Sequence, residues 1–134
     1  MAQTRLERWY DEVWNNANED QIDELMDEQA IIHGLELEAN QKGPMAFRPF
    51  YRSFRDRFPV VNITAEPIVV TDDSEVAHCI VQATTQDGRK ITFTGISVGK
   101  FNNGKLVEAW NSFDFDTMNK QLASPVSSEL EQPR

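Results

Sequence analysis

Apolar residues recur at helical spacing along the first part of the chain and at strand spacing along the second, with the change near Phe58-Pro59. Leu6, Trp9, Tyr10, Val13 and Ala17 form one stripe with charged residues between them, which predicts an amphipathic helix. Asn18 is placed to cap a second helix: Glu19 and Asp20 fall in its electropositive first turn, Gln21 completes a capping box, and Ile22, Leu25 and Met26 supply the apolar face. The run Ala30-Ile31-Ile32-His33-Gly34-Leu35 reads as a short strand. Gly43-Pro44 opens a third helix, with proline at the first position, where no donor is needed. Phe47, Phe50, Tyr51, Phe54 and Phe58 give that helix an aromatic face. Pro49 lies inside the pattern and predicts a kink or restart, because it has no N–H for the preceding turn.

Past Phe58 the segments 63–70, 76–86, 90–101 and 105–115 are rich in Val, Ile, Thr and Phe. Asp87-Gly88 and Asn103-Gly104 are hairpin signals, since both pairs accept the positive φ angles of tight turns. An antiparallel meander follows. Gly95 and Gly99 inside its third strand predict a bulge or sharp bend, so that the sheet curls around the helical layer and leaves one end open.

The last strand carries the candidate chemistry. Strict alternation puts Leu106, Glu108, Trp110, Ser112 and Asp114 on one face and Val107, Ala109, Asn111, Phe113 and Phe115 on the other. If the first face lines a cavity, Asp114 is a carboxylate of raised proton affinity beside an aromatic wall, suited to acid/base work on a small organic ligand. The plain alternative is an aspartate at a strand end facing water.

A chain of 134 residues is expected to form one domain, residues 1–123, followed by a polar tail at 124–134 with two prolines and three serines. With 22 acidic against 13 basic residues the formal charge is −9, which repels nucleic-acid backbones and anionic membranes. The single Cys79 sits in an apolar run and reads as a small buried hydrophobe. The N-terminal residues are charged, so no signal peptide is expected, and no run approaches membrane-spanning length; a cytoplasmic location is the expectation. Two histidines in distant segments do not make a metal motif. Arg48, Arg52 and Arg55 lie along one side of the third helix, either as an anion site or, in so acidic a chain, as a solvated face.

Gly43-Pro44-Met45-Ala46-Phe47, Phe54-Arg55-Asp56-Arg57-Phe58-Pro59, the 103–110 segment ending in Trp110, and Asp114 followed by Gln121-Leu122 resemble the SnoaL-like polyketide cyclase group of the nuclear transport factor 2 and ketosteroid isomerase-like superfamily, over residues 6–122. The resemblance implies an α+β fold, a cone-shaped barrel with three N-terminal helices packed into a strongly bent antiparallel sheet, and a homodimer formed through the sheet. It implies cofactor-free proton transfer, of cyclase or isomerase type, on an apolar or polycyclic carbonyl compound, with Asp114 as general acid/base. Two carboxylates used by the isomerases are replaced here by Gly34 and Ser97, and the Arg/Asp pair of the epoxide hydrolases is missing from every strand. His33 or Asn111 would assist Asp114, and Trp110, Tyr51, Ser97, Trp14 and Phe54 would hold the ligand. The rival reading is a ligand-binding or dimerisation module of the same fold without chemistry.

Overall fold

The computed structural model describes residues 3–37 and 41–123; the 124–134 segment read above as a tail lies outside them. Helix α1 (Arg5–Trp9) starts at Thr4, whose hydroxyl accepts from the Glu7 N–H while the Glu7 carboxylate accepts from the Thr4 N–H. It continues without a break as a π-helix over Tyr10–Asn15. The five residues Leu6, Trp9, Tyr10, Val13 and Trp14 are all buried along this unit. A short α2 (Gln21–Leu25) follows, then β1 (Met26–His33), α3 (Gly43–Arg57), β2 (Val60–Val70), β3 (Ser74–Thr84), β4 (Lys90–Asn102), β5 (Lys105–Phe113) and α4 (Phe115–Ala123).

The strands form one open sheet in the order β1-β5-β4-β3-β2, antiparallel except for the parallel pairing of β1 with β5. The fold is α+β of the expected class, with three differences from the sequence reading. The sheet is mixed and has five strands, because Met26 begins a strand rather than closing the second helix, and its side chain is buried in the core. Pro49 neither kinks α3 into two nor restarts it: the helix runs through, with Pro49 and Met45 exposed, so that the Met45 carbonyl freed by the missing N–H can bond water. The chain leaves the sheet after Phe113, and residues 115–123 are a fourth helix that the sequence reading did not include.

The helices cover one face of the sheet. Val61, Ile63, Cys79, Val81, Ile91, Phe93 and Ala109 point to them and form the core with the α1 and α3 aromatics. Gly95 faces Phe113 across the β4–β5 ladder, and a Cβ there would sit 2.4 Å from the Phe113 ring. The ring lies directly on the sheet because Gly95 has no side chain. A register irregularity beside Gly99, between Lys100 and Phe101, inserts an extra residue into β5.

Candidate functional site

That irregularity decides which side of β5 faces the helices. Phe101 pairs with Leu106 while Lys100 pairs with Glu108, so Val107 is the extra residue and the alternation changes phase there. Leu106, Ala109, Asn111 and Phe113 consequently point inward, and Glu108 and Trp110 outward. The expectation that Trp110 and its neighbours line the cavity is corrected. Trp110 instead stacks on His33 with ring centroids 5.2 Å apart, and Lys100 Nζ lies 5.8 Å from its centroid. His33 is also on this outer face, donating from Nε2 to Glu108 Oε2 at 2.8 Å, and is therefore not a cavity residue. His78 is on the outer face too, paired with Glu66 at 3.1 Å.

Asp114 stands one residue beyond the strand and is exposed. Its Oδ1 accepts from the Thr117 N–H at 3.0 Å and its Oδ2 from the Thr117 hydroxyl at 2.6 Å, which makes it the N-cap of α4. The Thr117 hydroxyl, then the Thr117 N–H, hold the carboxyl below the ordinary aspartate value, opposite to the rise expected for a buried base. Its neighbours Phe113 and Phe115 both line the cleft, so the residue is at the rim with its side chain turned away.

The cleft lies between the π-helical segment, α3 and the inner face of the sheet. It has a volume of about 50 Å³ and is walled by Trp9, Trp14, Phe47, Phe50, Phe54, Phe93, Phe113 and Phe115, with Leu35 and Ile63. Trp14 is central to this packing, with rings of Phe47, Phe50, Tyr51 and Phe54 between 4.8 and 6.4 Å from it. A second recess of about 20 Å³ shares Trp9, Tyr10, Leu35, Phe47 and Asn111 with it and reaches Ser97. Of the expected ligand-binding residues, Trp14, Phe54 and Asn111 line the main cleft and Ser97 the inner recess. Tyr51 does not: its buried hydroxyl donates to the Val13 carbonyl at 2.8 Å and ties α3 to the π-helix. The three α3 arginines are occupied structurally, Arg48 and Arg52 on Glu19 and Asp23, and Arg55 on the Trp14 and Pro59 carbonyls.

One polar residue of the cleft was missed by the sequence reading. Tyr10 is buried and lines both recesses. Burial pushes its pKa well above the usual tyrosine value, and burial likewise raises the Cys79 thiol to about 11, so both groups keep their protons. Ser97 Oγ donates to Asn111 Oδ1 over a long 3.5 Å, and Asn111 Nδ2 donates to the His33 carbonyl at 3.0 Å. In the sequence Tyr10 is one member of an apolar stripe; its place in a π-helix, a rare geometry that recurs at functional positions, is visible only in the fold. Among the described residues no group of His, Cys, Asp and Glu could hold a metal ion, and no helix is long and apolar enough to cross a membrane.

No curated protein matches the chain. Among solved structures, it is similar to a loop-truncated variant of IdmH at 25% identity, TM-score 0.76, covering 89% of this chain and 97% of that one. Wild-type IdmH, a proposed polyketide cyclase from Streptomyces antibioticus, matches at 22% identity and TM-score 0.75, covering 90% and 96%. A proposed polyketide cyclase from Acidithiobacillus ferrooxidans matches at 20% identity and TM-score 0.76, covering 88% and 91%. The SnoaL-like polyketide cyclase family matches across residues 4–122, nearly the whole described chain, and the protein belongs to that family.

Proposed function

We propose that this protein is a small-molecule enzyme performing cofactor-free acid/base chemistry, of cyclase or isomerase type, on an apolar carbonyl-containing compound held in the aromatic cleft. The observation that carries the reading is the composition of that cleft: aromatic walls, no charged side chain among the lining residues, and a tyrosine and an asparagine as polar groups. Such a lining favours a neutral, flat ligand and disfavours an ion, which would be buried without a counter-charge. Asp114 at the rim is the proton-transferring group in this reading, and it must leave Thr117 to act. A homodimer through the outer sheet face belongs to the same proposal, supported by the exposed Ile31 and Ile96 on that face.

The test is exchange of α-protons in a panel of polycyclic ketones in D2O, followed by proton NMR, with wild type and Asp114→Asn. Asparagine is an equally good helix cap, so the variant is expected to fold and to bind ketone while losing exchange above buffer. Exchange at the wild-type rate in Asp114→Asn would remove Asp114 from the mechanism. A second reading, ligand binding without chemistry, is favoured by the Thr117 clasp on Asp114 and the small free volume. Ketone binding by wild type with no exchange of any α-proton decides for that reading.

A further inference from the structure

We infer that the His78–Glu66 pair makes self-association of this chain through the outer sheet face responsive to pH, two copies binding more tightly at pH 6 than at pH 8. The inference rests on the homodimer proposed above.

The register shows how the outer face differs from the rest of the surface. Of the carboxylates in β2–β5, Glu75 is turned in to α1, which leaves Glu66 and Glu108 on the outer side. In a chain of formal charge −9, this is a face that opposes a second copy little. Exposed aliphatic side chains gather on it as well, Ile31 on β1, Ile96 on β4 and Val69 on β2. Both histidines of the chain lie there, and each is bonded to one of those two carboxylates.

The two pairs differ in their surroundings. Glu108 stands opposite Lys100 in the β4–β5 ladder, so it keeps a cationic neighbour whatever the state of His33. His78 and Glu66 have no third charge beside them among the described residues. The same-face neighbours of His78 on β3 are Val76 and Ile80. Across the ladders it faces Ile96 on β4 and Glu66 on β2, and Thr64 and Val69 flank Glu66. His78 Nδ1 donates to Glu66 Oε1 at 3.1 Å, with the two side chains 38% and 58% exposed. Water reaches both in the single chain, where either charge state is tolerated at little cost.

A second copy laid on this patch removes that water. With neutral imidazole the hydrogen bond persists, but Glu66 carries an uncompensated negative charge into an apolar interface, once from each copy. With imidazolium the pair enters as a neutral unit joined by a charge-assisted bond. Imidazole is the side chain that changes charge between pH 5 and 8, so association takes up protons as the pH falls through that range. A two-fold dimer uses the pair twice, and each proton taken up changes Kd about tenfold per pH unit.

The test is sedimentation equilibrium of the full chain over a concentration series at pH 6 and pH 8, repeated at low salt and at about 0.5 M salt, where long-range repulsion between two acidic molecules is screened. Wild type is expected to dimerise with a Kd at least about tenfold lower at pH 6, and the difference should survive the higher salt. His78→Gln should hold the Kd at the weaker pH 8 level at both pH values. Glu66→Gln should reverse the sign, because protonation of His78 then brings an unpaired positive charge into the interface. His33→Gln should keep the pH dependence, since Glu108 still faces Lys100. These side chains are all on the surface, and circular dichroism checks that each variant is folded. A single Kd at both pH values overturns the inference and leaves the dimer standing. An undiminished pH dependence in His78→Gln, an unreversed sign in Glu66→Gln, or an effect abolished by salt also overturns it. A monomer at every pH and concentration overturns the dimer and the inference with it.

Discussion

Glu75 offers the most direct test of how the wall carrying Tyr10 is held. The residue opens β3 yet is only 2% exposed, and its carboxylate is turned onto the start of α1. Oε1 accepts from the Leu6 N–H at 2.8 Å, and Oε2 from the Arg5 N–H at 3.0 Å and from Arg5 Nε at 2.7 Å. Both N–H groups belong to the first turn, where no helical carbonyl can receive them, and the negative charge sits at the positive end of the helix. Arg5 spreads its remaining donors over the Thr71 and Asp72 carbonyls and lies 4.6 Å over the Phe101 ring. In Glu75→Ala the Leu6 N–H loses its acceptor inside the protein and the arginine loses its counter-charge. Breaking a buried pair from one side costs about 3–5 kcal/mol. Because Arg5 keeps two carbonyl partners, the lower end, about 3 kcal/mol, is expected, with a fall in Tm of about 10 °C for a domain of this size. Urea denaturation of wild type, both single alanine variants and the double variant closes a mutant cycle. The double variant should cost less than the sum of the singles. The deficit should persist in 1 M salt, since a shielded pair is screened far less than a surface one. A Glu75→Ala variant within 1 kcal/mol of wild type would refute the view that this carboxylate clamps α1 to the sheet.

Gly95→Ala is expected to destabilise by about 1–3 kcal/mol, because its Cβ would press on the Phe113 ring at 2.4 Å and on the Phe113 Cα at 2.8 Å; an unchanged urea midpoint would show that the ring yields freely. Thr117→Val removes the hydroxyl that contributes most to lowering the Asp114 pKa, and carboxyl 13C NMR should find that pKa moved back up toward the ordinary 3.8. Since the folded value is depressed, the Asp114 cap stabilises the fold above the unfolded carboxylate pKa, and that contribution fades as pH falls through the folded value. In the variant the contribution should be smaller and its loss complete at a higher pH; an unmoved titration would assign the shift to the backbone N–H alone. Cys79, fully buried with its thiol raised to about 11, should resist iodoacetamide at pH 8 in the folded protein and react on unfolding. Rapid labelling of the native state would show that the core around β3 opens readily.

The second half of the chain was legible because its signals are local. Asn103 and Gly104 take φ +54° and +80°, the left-handed pair that the Asn-Gly sequence asks of a tight turn, and β4 and β5 meet across it. The β1 strand was only half legible, since residues 26–29 carry no apolar alternation and join the sheet through tertiary pairing of Met26 with Leu106. The face of β5 was misread for a definable reason. Alternation was carried unbroken through Val107, where the bulge inverts it, and past Phe113, where the strand ends. Signals against both steps were present in the composition: Ala109, Asn111 and Phe113 make a better inner face than Glu108 and Ser112, and Asp114 with Thr117 three residues on and Asp116 between them has the pattern of a helix start.

The free volume of the cleft sets a condition that any function for it must meet. About 50 Å³ is a third of the roughly 150 Å³ apolar cavity that accepts a benzene ring, so a polycyclic ligand cannot enter until wall side chains move. The inner wall is poorly placed to do so: Trp9, Tyr10 and Trp14 are buried on a helix pinned by Glu75, and Phe47 packs between them. The rim is different, because Leu35, Phe50, Phe113 and Phe115 are only partly buried. Phe115 opens α4, which is held to the sheet by the Gln121 carboxamide on both backbone groups of Thr92 and is capped by Asp114. A shift of the first turn of α4 would therefore do two things together: move Phe115, which lines the cleft, and loosen the Thr117 bonds on the Asp114 carboxylate. In the proposed reading, space for the ligand and a free carboxylate beside it would depend on the same few hydrogen bonds, so the closed cleft and the clasped aspartate would belong to one state of the protein rather than stand as two separate objections to chemistry there.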